Sequence, residues 1–112
     1  MANVKIPIEA FEGQDIRLHQ AARNKNIAKV VELLSSGVEV NDQDGNGSTA
    51  LIYASSIGSI EIVSELLKHS ANKTIKDNLG YDAYFAAMFH GDFRGVTMHP
   101  FDQIRELTKH EE

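Results

Sequence analysis

The chain has no cysteine and no tryptophan, and only two prolines among its 112 residues. Without cysteine there is no disulfide, no thiolate metal site and no thiol redox chemistry. No apolar run approaches the ~20 residues that a membrane-spanning helix needs. Residues 1–14 carry Pro7, Glu9 and Glu12 and no continuous apolar stretch, which excludes a secretory leader and favours the cytoplasm. Positive charge is also in short supply. Eleven Lys and Arg stand against sixteen Asp and Glu, for a net charge of −5 with His neutral. Nucleic-acid affinity comes largely from Lys and Arg releasing counterions, so a nucleic-acid partner is not expected. Arg17, Arg23, Lys25 and Lys29 read as the solvated face of a helix. The acidity gives a mild preference for a basic protein partner, acting through steering and not through fold.

What the chain does have is a sentence written more than once. Thr49-Ala50-Leu51-Ile52-Tyr53-Ala54 opens the clearest copy, which runs on through Gly58, Ile60-Glu61-Ile62-Val63 and Leu66-Leu67. Thirty-three residues earlier stand Leu18, Ala21, Ile27, Val30 and Leu33-Leu34; an equal step later stand Asp77, Gly80, Ala83, Ala87 and Gly91. A fixed period of this size means stacked supersecondary units, none able to bury its apolar face alone. One domain of this length buries roughly two-thirds of its unfolded surface.

At these residues the chain resembles the ankyrin-repeat family. The middle copy carries the family pattern at Asp44, Gly47, Thr49, Leu51, Ala54, Gly58, Val63, Leu66, Leu67 and Ala71. The first carries it at Leu18-His19, Ala21-Ala22, Val30-Val31, Leu33-Leu34, Gly37 and Asn41. The third carries it at Asp77, Gly80, Ala83, Ala86-Ala87 and Gly91, then departs. The resemblance implies an all-α solenoid of three helix-turn-helix repeats with β-hairpin-like fingers. It covers residues 15–110, divided at about 15–43, 44–76 and 77–110, after a partly ordered lead-in at 1–14.

The periodicity predicts a short helix around Ile16–Ala22 and a second carrying the stripe Ile27, Val30, Val31, Leu33 and Leu34. Gly37 follows where a helix end favours left-handed dihedrals. The cycle repeats with helices over 49–57 and 60–69, and Thr49 is suited to N-cap the first of these. In the third unit a helix over 82–90 is rich in aromatics (Tyr84, Phe85, Phe89). Its companion does not start on schedule. Phe101 to Leu107 mirrors Ile60 to Leu66 later than the interval allows, which places about eight extra residues, 93–100, between the helices of the last unit. Leu18, Ala21, Val30, Leu33, Leu51, Ala54, Val63, Leu66, Ala87, Ile104 and Leu107 are expected to form one core.

Several arrangements imitate chemistry. Asp42-Gln43-Asp44-Gly45-Asn46-Gly47 looks like the start of a calcium loop, but its twelfth position is Tyr53, where calcium needs a bidentate Glu. His90, Asp92 and His99 can be drawn as a metal cluster, yet lack the tight spacing of zinc ligands. His69 and His110 fall at helix C-termini, where a partly positive ring meets the macrodipole. The family resemblance gives His19 a structural bond to a neighbouring turn. No nucleophile elbow, phosphate-cradling glycine loop or His-Glu-x-x-His run occurs. No catalytic residue, metal or cofactor is expected.

What remains is surface. The resemblance implies a concave binding face built from fingertips and the outward ends of the first helices. Arg23 and Asn24 hold such positions in the first unit. Gln43, Asn46, Ser48, Tyr53, Ser56 and Ile57 hold them in the second, and Lys76, Asn78, Leu79, Tyr81, Phe89 and His90 in the third. Large aromatic groups there suit a desolvated interface centre with a polar rim, and Glu39, Asp42 and Asp44 would speed association with a basic partner. The expected function is non-enzymatic protein binding, as an inhibitor or adaptor. Resemblance to ankyrin repeats among bacterial immunity proteins adds the specific form of a toxin antagonist. The alternative is a ligand, metal or enzymatic role centred on 93–100. A third reading, a piece of a longer regulatory chain, is set against Met1 and the deviant last unit, which make both ends read as finished.

Overall fold

The protein is described by a computed structural model that covers residue 8, residues 13–89 and residues 101–110, without the side chains of 89, 101 and 102. Six helices follow one another: α1 (Arg17–Arg23), α2 (Ile27–Ser35), α3 (Ala50–Ile57), α4 (Ile60–Lys68), α5 (Ala83–Phe89) and α6 (Phe101–Thr108). They form three hairpins in two layers. In one layer α3 packs against both α1 and α5; in the other α4 packs against α2 and α6. No strand occurs among the described residues, so the fingers are turns and not formal hairpins. The expected segment 93–100 lies outside the described residues; α6 is described from Phe101 onward.

Local chemistry fixes where the helices start. Thr49 accepts the backbone N–H of Ile52 at 3.2 Å, Ser59 that of Ile62 at 3.3 Å, and Asn26 that of Lys29 at 3.2 Å. Each satisfies one of the donors a helix leaves orphaned at its N-terminus. Asp82 does this for α5, its Oδ1 accepting from Phe85 N at 2.9 Å. Gly37 closes α2 with φ of 91°, the left-handed turn the sequence predicts.

The apolar stripes meet in one core. Leu18, Ala21, Val30, Leu33, Leu51, Ala54, Val63, Leu66, Ala87 and Ile104 are all buried in it; Leu107 is half-buried against its edge. Burying these faces is what couples the units, since each hairpin alone would leave its stripe in water.

The fingers are copies in hydrogen-bond detail. In the second, Asp44 N donates to Ser48 O at 3.0 Å, and Asp44 Oδ1 accepts from Asn46 N and Ser48 N. In the third, Asp77 N donates to Tyr81 O at 2.9 Å, and Asp77 Oδ1 accepts from Leu79 N and Tyr81 N. Neighbouring fingers are then tied together. Asn78 donates its backbone N–H to Asn46 O and its side-chain amide to Gly45 O, both at 3.0 Å. Gln43 Nε2 donates to Lys76 O at 3.1 Å, again across 33 residues. Gly47 is what lets Asn78 come so close: a Cβ there would lie 2.7 Å from the Asn78 backbone nitrogen.

Candidate binding surface

The middle unit presents an arrangement centred on Tyr53. Its hydroxyl donates to Asp44 Oδ2, while the Arg23 guanidinium carbon lies 6.0 Å from the ring centroid, at the outer limit of a cation–π contact. The ring of His19 meets Tyr53 edge-on at 6.1 Å, and its Nε2 is 2.9 Å from Asp42 O. That is the bond to a neighbouring turn which the resemblance implied for His19. Burial, and then the adjacent Asp44 carboxylate, push the Tyr53 phenol up to about 12. Tyr53 is therefore a neutral donor that helps satisfy a carboxylate only 1% exposed.

This corrects two expectations. Asp44 was to steer a basic partner from the surface; it is buried, with its oxygens committed to Asn46 N, Ser48 N and Tyr53. Its place in a calcium-like loop is explained in the same way, as the hub of a turn. Ser48, a candidate contact, is 6% exposed and its backbone serves that turn. Asp42 does remain partly accessible, with Oδ2 accepting from the Gln14 amide at 2.9 Å.

The remaining candidates divide between two regions. The first is a cleft of about 600 Å³ beside the second finger, lined by Glu39, Asn41, Asp42, Gln43, Asp44, Gly45, Gly47 and Asn78. Asn46 is half-buried next to it. Ser56 and Ile57 are half-buried on the last turn of α3, with Ser56 Oγ donating to Tyr53 O at 2.9 Å. The second region gathers at the third unit: Tyr81 stacks on Phe85 at 5.2 Å, and Leu79 is exposed at the fingertip. Lys76 lies there too, in a cleft of about 360 Å³ with Gly80, Asp82, Tyr84, Phe85, Lys109 and His110. His90 and the side chain of Phe89 lie outside the described residues.

His110 departs from its expected role. Its Nε2 stands 2.8 Å from Asp82 Oδ2, so it completes the cap of α5 and does not merely end α6. No periodic signal marks that pair, because the late start of α6 removes His110 from the register. Phe85 was also missed as a surface group: it is 39% exposed, whereas His19 and Ile52, which hold the same register position, are buried. Among the described residues no three His, Asp or Glu converge as metal ligands. No helix among them is long and apolar enough to cross a membrane.

Comparison with known proteins agrees with this architecture. A family model for ankyrin repeats in three copies matches residues 18–98. The Oryza sativa subsp. japonica protein described as a probable E3 ubiquitin-protein ligase, XBOS32, is 40% identical over 99 residues, which is 87% of this chain and 20% of that protein. Palmitoyltransferase AKR1 of Kluyveromyces lactis is 38% identical over 73 residues, 64% of this chain and 10% of its own length. Human ankyrin repeat domain-containing protein 40 is 41% identical over 74 residues, 65% and 20% of the two lengths. The chain thus spans at most 20% of the length of these relatives.

Proposed function

The chain belongs to the ankyrin-repeat family, and from that premise we propose that it is a non-catalytic module that holds one protein partner on its concave face, as an inhibitor or adaptor. Ankyrin repeats are protein-interaction modules, and the activities in the relatives' names are those of much longer proteins. The observation that carries the reading is the rigid ladder of fingers. Bonds from Gln43 to Lys76 and from Asn78 to Gly45 hold successive fingers in one register. A preorganised surface binds without paying to order itself. Tyr53, Ser56 and Ile57 supply partly covered apolar area beside it, and Arg23 adds a cation. The Tyr53 hydroxyl is committed to Asp44, so Tyr53 contributes ring face and not a new hydrogen bond.

Glu39 and Asp42 line the cleft beside the second finger and favour a basic partner through association rate and salt sensitivity. A small stack suited to occluding one basic protein fits a toxin-neutralising role. In cells the chain stays in the cytoplasm on this reading.

The test is affinity capture from the native host with the wild-type chain and a Ser56→Arg variant as paired baits, read by mass spectrometry. A protein retained by the first and lost with the second supports the concave face. Equal retention by both moves the site elsewhere. If the captured protein's affinity is insensitive to salt, the basic-partner reading is abandoned.

A further inference from the structure

The outer face of the third repeat is built unlike the end of a stack. Terminal repeats ordinarily turn a polar face outward, because no further unit covers them. Here the positions that face the next unit are apolar. His19 and Ile52 hold one such position in the first two units; they are 2% and 6% exposed, and His19 reaches the next finger at Asp42 O. Phe85 holds the same position in the third unit and is 39% exposed. Leu79, at the tip of the same finger, is 77% exposed. Tyr81 lies flat on Phe85, with ring planes 25° apart, and extends the patch.

The patch also continues the finger ladder. Gly45 O and Asn46 O of the second finger accept from Asn78. Their counterparts, Asn78 O and Leu79 O, accept no bond among the described residues. Backbone N–H groups of an incoming segment can therefore repeat the bonds that join one finger to the next, the logic of strand addition applied to turns.

Charge selects the occupant. Lys76 and Lys109 line the adjoining cleft with His110. Lys76 makes no ion pair among the described residues, and Lys109 meets only Glu106, at 3.4 Å and exposed, a contact of little energetic weight. The nearby carboxylates are engaged internally: Asp77 Oδ1 by Leu79 N and Tyr81 N, Asp82 by Phe85 N and His110. A second copy paired face to face would bring the two lysine pairs together, since such an interface apposes the same patch twice. We propose that the end face formed by Leu79, Tyr81 and Phe85 is a second docking surface, distinct from the concave one. Its occupant is a protein segment that carries leucine- or phenylalanine-like side chains beside carboxylates, with Lys76 and Lys109 pairing the acids. This makes the chain two-faced in charge, with the cleft at Glu39 and Asp42 suited to cations and this end suited to anions.

The experiment is selection of a random-peptide phage library on the immobilised full chain, counter-selected on a Lys76→Glu/Lys109→Glu variant. An enriched peptide is then synthesised with a fluorescein label and titrated by anisotropy. Expected are peptides with Asp or Glu next to Leu or Phe, weakened at least about tenfold by the charge reversal and by Leu79→Ser. Ser56→Arg, on α3, should leave their binding unchanged, which separates this surface from the concave one. Melting temperatures of the Leu79 and lysine variants should match the wild type, because those three side chains are exposed. Failure to enrich, enrichment of basic peptides, or indifference to Leu79→Ser overturns the proposal. So does light scattering that shows a dimer dissolved by Leu79→Ser, which would make a second copy the occupant.

Discussion

Tyr53 reaches back nine residues to set its hydroxyl on the carboxylate of Asp44, inside the turn of the middle finger. A buried carboxylate is tolerable only when its lone pairs are met, and here two backbone N–H groups and one phenol meet them. Tyr53→Phe removes one donor while keeping the ring. The expected loss is about 1–3 kcal/mol of unfolding free energy, measured by urea denaturation. An unchanged midpoint would mean that water replaces the phenol at no cost.

The same pair predicts an alkaline limb. The Tyr53 phenol sits at about 12 in the folded protein against about 10 unfolded, so folding favours its protonated form. That contribution is whole below about pH 10 and is lost as pH rises towards about 12, because only the unfolded chain releases the proton in that window. Wild type should therefore lose stability faster than Tyr53→Phe across this range. Parallel curves for the two proteins would contradict the assignment.

Gly47 and Gly80 occupy equivalent places with φ of 78° and 89°, but only Gly47 lies against another finger. Gly47→Ala meets both backbone strain and the main chain of Asn78, and should cost about 1–3 kcal/mol. Gly80→Ala meets strain alone and should cost less. Thermal melts of the two variants give the comparison directly, and a larger penalty at Gly80 would show that the finger contact is soft.

Leu51 is 1% exposed at the centre of the core, between the layers that α3 and α4 contribute. Leu51→Ala should cost about 2–5 kcal/mol, as large-to-small changes in closed cores do. If the units fold together, unfolding of this variant stays one cooperative transition at lower temperature. Two separated transitions would mean that the units melt independently.

Asp82 serves two masters, the first turn of α5 and His110 after α6. Asp82→Asn keeps the cap and gives up the carboxylate's pairing with the imidazole, whereas Asp82→Ala gives up both. The alanine variant should lose about 0.5–2 kcal/mol more than the asparagine variant, the range of a lost cap. Equal losses would place the whole effect on His110.

The units themselves were legible because burial imposes a period. Leu51 and Leu66 had to face inward, and their copies at Leu18 and Leu33 fell into line with them. Thr49 could be read as a cap because capping needs only a hydroxyl at one step before a helix. Side-chain reach was not legible. Nothing in the spacing says that the Tyr53 hydroxyl turns back to Asp44 instead of outward to solvent, so its structural bond went unread. His110 was lost for a different reason: the late start of α6 breaks the arithmetic that places every earlier residue. The exposure of Phe85 was not legible because periodicity reports which positions share a face, not how far each is covered.

The bonds from Gln43 to Lys76 and from Asn78 to Gly45 span the same interval, and so the molecule has a unit of growth. A tandem duplication of residues 44–76 would bring its own amides to carbonyls already at the right height, adding a storey without disturbing those above or below. A duplication of any other length within the fingers would leave amides and carbonyls facing past one another. Recombination is thus given a step size by hydrogen-bond geometry.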